Sequence, residues 1–139
     1  MALIVDTGPL YAAADQSDRW HRASAVLLSE SSERLVAPAP VLVEVSWLMG
    51  KRLGEEAFDH VLANVEDGAI EVEDLTIEDY ARVRQLLRRY ADLPLGFVDA
   101  AIVAVAERLR EGKLASLDRR HLGVVRPRHV RSFTLLPAG

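Results

Sequence analysis

Short apolar runs alternate with longer amphipathic stretches along this chain. Leu3, Ile4 and Val5 run straight into Asp6, and Thr7, Gly8 and Pro9 then break the pattern, so the opening reads as a buried strand ended by a turn. Residues 17–30 space Trp20, Ala23, Val26 and Leu27 as one face of a helix, with Ser17 as its N-cap. Residues 34–39 form a second short apolar run. Residues 40–54 are two-sided in their signal. Val41, Val43, Val45 and Trp47 alternate like a strand, whereas Pro40 and the distance to Gly50 fit a helix.

The remaining segments are clearer. Residues 55–68 place Phe58, Val61, Leu62 and Val65 on one helical face, with Gly68 past the end. Residues 70–75 alternate as a strand. Residues 76–91 form an amphipathic helix with Tyr80, Val83, Leu86, Leu87 and Tyr90 as its apolar stripe. Arg82, Arg84, Arg88 and Arg89 are expected to face water, and Thr76 with Asp79 makes a variant capping box. Residues 96–112 are apolar nearly all round up to Glu107 and predict a buried helix. Residues 113–118 predict a strand ending at Asp118, and residues 131–136 a last strand. Buried strands interleaved with helices predict an α/β fold with a parallel sheet. No repeat or linker divides the chain, and 139 residues fit one domain spanning 1–139.

A sheet of this type presents its ligand site beyond the carboxyl ends of its strands. Four acids then stand out. Asp6 and Asp118 each end a predicted strand, Glu44 interrupts an apolar stretch, and Asp99 lies near the start of the buried helix. Carboxylates in such surroundings are costly unless paired, hydrogen-bonded or metal-bound. Each has a plain structural reading: a turn for Asp6, a helix N-terminus for Asp99, a pair with Arg52 for Glu44, a turn cap for Asp118. If all four converge, they raise each other's pKa until a cation arrives, and oxygen donors select a hard ion, Mg²⁺ or Mn²⁺. Such an ion polarises phosphate and activates water.

At these residues the sequence strongly resembles the PIN-domain ribonucleases, and within them the VapC toxins of bacterial type II toxin–antitoxin modules. LIVDTGPLYA resembles the family's opening strand with Asp6, and PAPVLVEVSWLM the helix with Glu44, which decides that segment as helical. YADLPLGFVDAAIVAVAERL is similar to the third-acid region with Asp99, and LASLDRRHLGVVRP to the fourth-acid strand and loop with Asp118. Ser116 stands where the family often has threonine. The resemblance implies a three-layer α/β/α PIN domain with a mainly parallel sheet of about five short strands. It implies a Mg²⁺- or Mn²⁺-dependent endoribonuclease that hydrolyses structured RNA, often tRNA or rRNA, through metal-activated water. Asp6, Glu44 and Asp99 would hold the main ion and Asp118 complete the site, with Thr7, Ser116 and Asp92 as possible auxiliaries. Implied partners are RNA, a VapB-type antitoxin that threads a segment into the acidic pocket, and a second copy of the chain.

Charge fits this only in its distribution. The net charge is −4, but residues 113–131 hold six Lys/Arg against Asp118 alone. Arg119 and Arg120, directly after Asp118, are expected at the pocket rim as RNA contacts, with Lys51 and Arg52 as weaker candidates. There are no cysteines, which fits a reducing compartment, and no run long enough to span a bilayer or to form a signal peptide, so a cytoplasmic protein without membrane attachment is expected. A haloacid-dehalogenase-like phosphatase also begins with a strand ending in aspartate, but it needs a second aspartate where this chain has Gly8. A receiver domain lacks its acidic pair here. A PIN-like binding scaffold remains the non-enzymatic alternative, disfavoured because all four acidic positions are occupied.

Overall fold

The computed structural model describes all 139 residues. Five strands form one sheet in the order β3-β2-β1-β4-β5, and every pairing is parallel. They are β1 (Ala2–Val5), β2 (Arg34–Pro38), β3 (Ile70–Glu73), β4 (Lys113–Ala115) and β5 (Thr134–Leu136). Six helices accompany them: α1 (Thr7–Ala14), α2 (His21–Glu30), α3 (Ala39–Arg52), α4 (Glu55–Glu66), α5 (Ile77–Arg89) and α6 (Phe97–Leu109). β1 is central and completely buried, because a parallel strand is covered on both faces and needs apolar side chains on both. Beside it the strand order reverses: β2 and β3 extend to one side, β4 and β5 to the other. Crevices at such reversals are where α/β sheets bind ligands.

α6 is buried without a break from Ala100 to Ala106, as its all-round apolar pattern predicts. The two-sided segment after β2 is helical, and its alternation buries Val41, Val45 and Met49 at i, i+4 and i+8 while leaving Val43 and Trp47 exposed. The capping box of α5 is present: Thr76 Oγ1 accepts from Asp79 N–H at 3.1 Å and Asp79 Oδ2 accepts from Thr76 N–H at 3.0 Å.

Several expectations fail for physical reasons. Thr7, Gly8 and Pro9 do not form a turn. They are the first turn of α1, capped by Asp6, whose Oδ1 accepts from Thr7 N–H at 2.7 Å. Pro9 is tolerated there because first-turn amides have no intrahelical partner. Ser17 does not cap α2: its Oγ donates to Asp15 Oδ1, and the helix starts four residues later at His21. The buried residue of α2 is Ser24, while Val26 is exposed. Arg82 does not face water. Its guanidinium grips Glu107 on α6 through two hydrogen bonds of 2.7 and 2.9 Å. Tyr80 of the expected apolar stripe lies half exposed. β4 stops at Ala115, so Asp118 sits three residues beyond the strand rather than at its end.

Candidate metal centre

The site grows from the junction of β1 and β4. The Asp6 N–H donates to Ala115 O at 2.8 Å, which extends the ladder one residue past both strands and fixes where Asp6 points. Ser116, fully buried, donates its hydroxyl to Asp6 Oδ2 at 2.8 Å and accepts from the Asp118 N–H at 3.1 Å. One serine thus ties together two acids 112 positions apart in sequence. Asp118 begins a tight turn in which its Oδ1 accepts from His121 N–H at 3.0 Å, and the His121 ring Nδ1 lies 3.0 Å from both carboxylate oxygens.

Asp99, third residue of α6, accepts from Gly96 N–H at 3.3 Å, so it caps its helix while also facing the other acids. Donor atoms of Asp99, Asp118 and His121 lie within 4.8 Å of one another. Glu44 projects from α3, exposed rather than buried, yet its charge acts on both Asp6 and Asp99. All four acids therefore share one electrostatic site.

The electrostatics carry the mark of that crowding. Burial pushes Asp6 up to about 6, against hydrogen bonds from Ser116 and Thr7 that pull it down, and the charges of Asp99 and Glu44 push the same way as burial. Asp99 is also raised, by burial first and then by Asp118 and Glu44, with the Gly96 N–H opposing. The Thr7 hydroxyl, buried and without any partner, leaves a spare oxygen next to Asp6. A donor set dominated by carboxylates that resist sharing one charge state is what a hard divalent cation relieves. These residues fit Mg²⁺ or Mn²⁺.

One consequence is measurable. With Asp6 as a ligand, a cation and a proton would compete for it, and apparent affinity would fall as pH drops through about 6. Mn²⁺ titrated by calorimetry is expected to bind about tenfold more weakly at pH 5 than at pH 7. Equal affinity at the two values would remove Asp6, as a raised carboxyl, from the ion's ligands.

The other candidates divide. Ser116 is a working part of the cluster. Asp92 is exposed in the α5–α6 connection and makes no hydrogen bond or ion pair. Arg119 and Arg120 are exposed just past Asp118, and Arg119 donates to Pro137 O at 2.8 Å. Lys51 and Arg52 lie at the far end of α3 from Glu44. The Lys51 ammonium sits 4.8 Å from the Trp47 ring centroid and the Arg52 guanidinium 5.4 Å from that of Tyr11. Arg52 does not pair with Glu44. His121 is the residue that pattern reasoning undervalued; its signal was the three-residue spacing from an acid at the start of a turn.

A PIN domain family model matches residues 3–126. Ribonuclease VapC26 of Mycobacterium tuberculosis (strain ATCC 25618 / H37Rv) is 31% identical over 135 residues, covering 97% of this chain and 100% of that one. Among solved structures, Mycobacterium tuberculosis VapC20, described as a Sarcin-Ricin loop cleaving toxin, superposes with a TM-score of 0.81 at 22% identity, covering 93% of this chain and 98% of its own. VapBC2 from Rickettsia felis, bound to a DNA fragment from their promoter, gives 0.63 at 16% identity, covering 85% and 89%. These two likenesses are of fold. By family model and by sequence relative alike, the chain belongs to the PIN domain family, in its VapC ribonuclease branch.

Proposed function

We propose that the chain is a Mg²⁺- or Mn²⁺-dependent endoribonuclease, the toxin of a VapBC-type module, hydrolysing phosphodiester bonds in structured RNA such as tRNA or rRNA. The observation that carries this reading is the gathering of acids around Asp6 and Asp99 at the strand-order reversal, with Asp6 raised to about 6 and Asp99 raised as well. Asp6, Asp99 and Glu44 would hold the ion, and Asp118 would complete its shell. The ion supplies charge to polarise the phosphate and acidity to activate water. Ser116 holds Asp6 and Asp118 in register, and His121 orients Asp118 from its other side.

The partners follow from surfaces. Val43 (73% exposed), Trp47 (64%) and Phe97 (45%) leave an apolar patch beside Glu44, which a second copy would cover. A groove of about 770 Å³ between α1, α2 and α4 offers an antitoxin an apolar seat. No helix is long and apolar enough to cross a membrane, and a cytoplasmic location fits an enzyme acting on tRNA or rRNA. The test is incubation of the purified chain with total tRNA and with rRNA in Mg²⁺ or Mn²⁺. Discrete fragments are expected, absent in EDTA. Cleavage persisting in EDTA sinks the metal mechanism; metal binding without any cleavage favours a binding scaffold. Expression with the neighbouring gene of its operon should yield a co-purifying antitoxin.

A further inference from the structure

We propose that RNA crosses the end of α5, on a cationic ridge assembled around Tyr90, rather than running along α3. This deepens the ribonuclease reading and rests on it. The connection from Tyr90 to Gly96 is short, so Arg88, Arg89 and Tyr90 lie at the same end of the fold as Asp99 in the first turn of α6. Tyr90 is the joint. Its hydroxyl oxygen accepts from the Arg126 N–H at 2.9 Å, and its ring centroid lies 5.8 Å from the Arg89 guanidinium carbon. Arg126 in turn follows directly on the tight turn begun by Asp118. In that turn Leu122 N–H donates to Asp118 O, and Val125 N–H to His121 O, at 3.2 Å each. The tyrosine that caps α5 thus pins the backbone of Arg126, eight residues on from the fourth acid.

The charges on this ridge are uncompensated. Arg34, Arg82 and Arg108 are paired with carboxylates elsewhere in the fold. Arg88, Arg89, Arg119, Arg120 and Arg126 are exposed and have no ion-pair partner. Arg119 and Arg126 donate to the carbonyls of Pro137 and Arg131, which anchors their side chains without cancelling their charge. Asp92 is the one carboxylate in the α5–α6 connection. The surface beside Glu44 has the reverse character: Val43, Trp47 and Phe97 are apolar and exposed. In a chain of net charge −4, a polyanion is held where positive charge is both clustered and free, and the α5 side of the pocket is that place. Arg89, 5.8 Å from the Tyr90 ring centroid, also gives a flat cation suited to an unpaired base or a phosphate.

The test compares Arg89→Glu/Arg126→Glu with a charge-matched pair away from the ridge, Arg22→Glu/Arg110→Glu, the second at the far end of α6 from Asp99. Binding of labelled tRNA and of an rRNA hairpin is read by fluorescence anisotropy in EDTA across a salt series, and cleavage by KM and kcat in Mn²⁺. The ridge pair is expected to bind about tenfold or more weakly, with a raised KM, an unchanged kcat, and a salt slope shallower by roughly 2. The distant pair should stay within about twofold. Arg89→Gln/Arg126→Gln and melting curves guard against misfolding, and should show the same direction at smaller size. Equal losses in the two pairs would reduce the effect to net charge and overturn the ridge. So would intact RNA binding with loss of antitoxin co-purification, which would make the surface a protein interface. A wild-type chain that cuts no RNA overturns the ribonuclease reading itself; a wild-type chain that cuts, with a ridge pair of normal KM, overturns the ridge alone.

Discussion

Asp6→Asn is expected to cost roughly 1,000-fold or more in cleavage and yet to raise the melting temperature. The two effects have one cause. Asp6 is 6% exposed, and burial lifts its carboxyl from 3.8 to about 6. A carboxyl raised on folding binds more protons folded than unfolded between those values, so stability falls as pH rises from about 4 to about 6. Above pH 6 the ionised group costs the ion-free fold its full penalty, about 3 kcal/mol for a shift of this size. Asn carries no charge, and its amide oxygen still accepts from Thr7 N–H. At pH 7.5 without metal the variant should melt roughly 5 °C or more above the wild type. At pH 4 the gap should close. Mn²⁺ should stabilise the wild type and leave the variant unmoved. A variant that melts lower at pH 7.5, or that still cleaves, would refute the assignment of Asp6 as a strained ligand.

Ser116→Ala should move stability the other way. Its hydroxyl is the donor to Asp6 Oδ2 and the acceptor from Asp118 N–H in a fully buried position. Removing it strands the buried Asp6 Oδ2 and leaves the part-buried Asp118 N–H without its partner, a loss of about 1–3 kcal/mol. The same deletion removes a hydrogen bond that lowers the Asp6 pKa, so the carboxyl climbs further. Activity should fall about 10- to 100-fold, as for partners that orient metal ligands, with the pH–rate profile displaced upward. Ser116→Thr keeps the hydroxyl and should restore both. Chemical denaturation with kinetics at pH 6 and 8 distinguishes this from a local packing defect, which would lower stability without displacing the profile.

What the sequence disclosed depends on the range of each interaction. Periodicity sufficed for α5 and α6, whose burial follows from side chains three and four apart, and for five strands, whose apolar runs need no knowledge of their neighbours. It failed at α1. Asp6 was legible as an acid at a strand end, but not as the cap that starts a helix, because Thr-Gly-Pro has turn chemistry until the side chain of Asp6 supplies the first hydrogen bond. It failed at Arg82, whose partner Glu107 lies on another helix. The acids themselves were visible as polar residues in apolar company. Ser116 was noticed, but its double hydrogen bond, like the closure of His121 on Asp118, exists only once β4 lies beside β1. Glu44 shows the limit from the other side: it disturbs an apolar run because the run is one helix with two faces, and the acid stands on the exposed one.

The pairing of β1 with β4 also sets a clock. Asp6 leaves the ribosome well before Ala115 and Ser116, which fix its carboxylate and follow more than a hundred residues later. At translation rates of about 5–20 residues per second, that interval is roughly 6 to 20 seconds. Throughout it Asp6 lacks the β4 backbone and the Ser116 hydroxyl that hold it in place. β4 and the turn after it supply Ser116 and Asp118, so a chain broken off during synthesis before β4 is expected to leave RNA uncut.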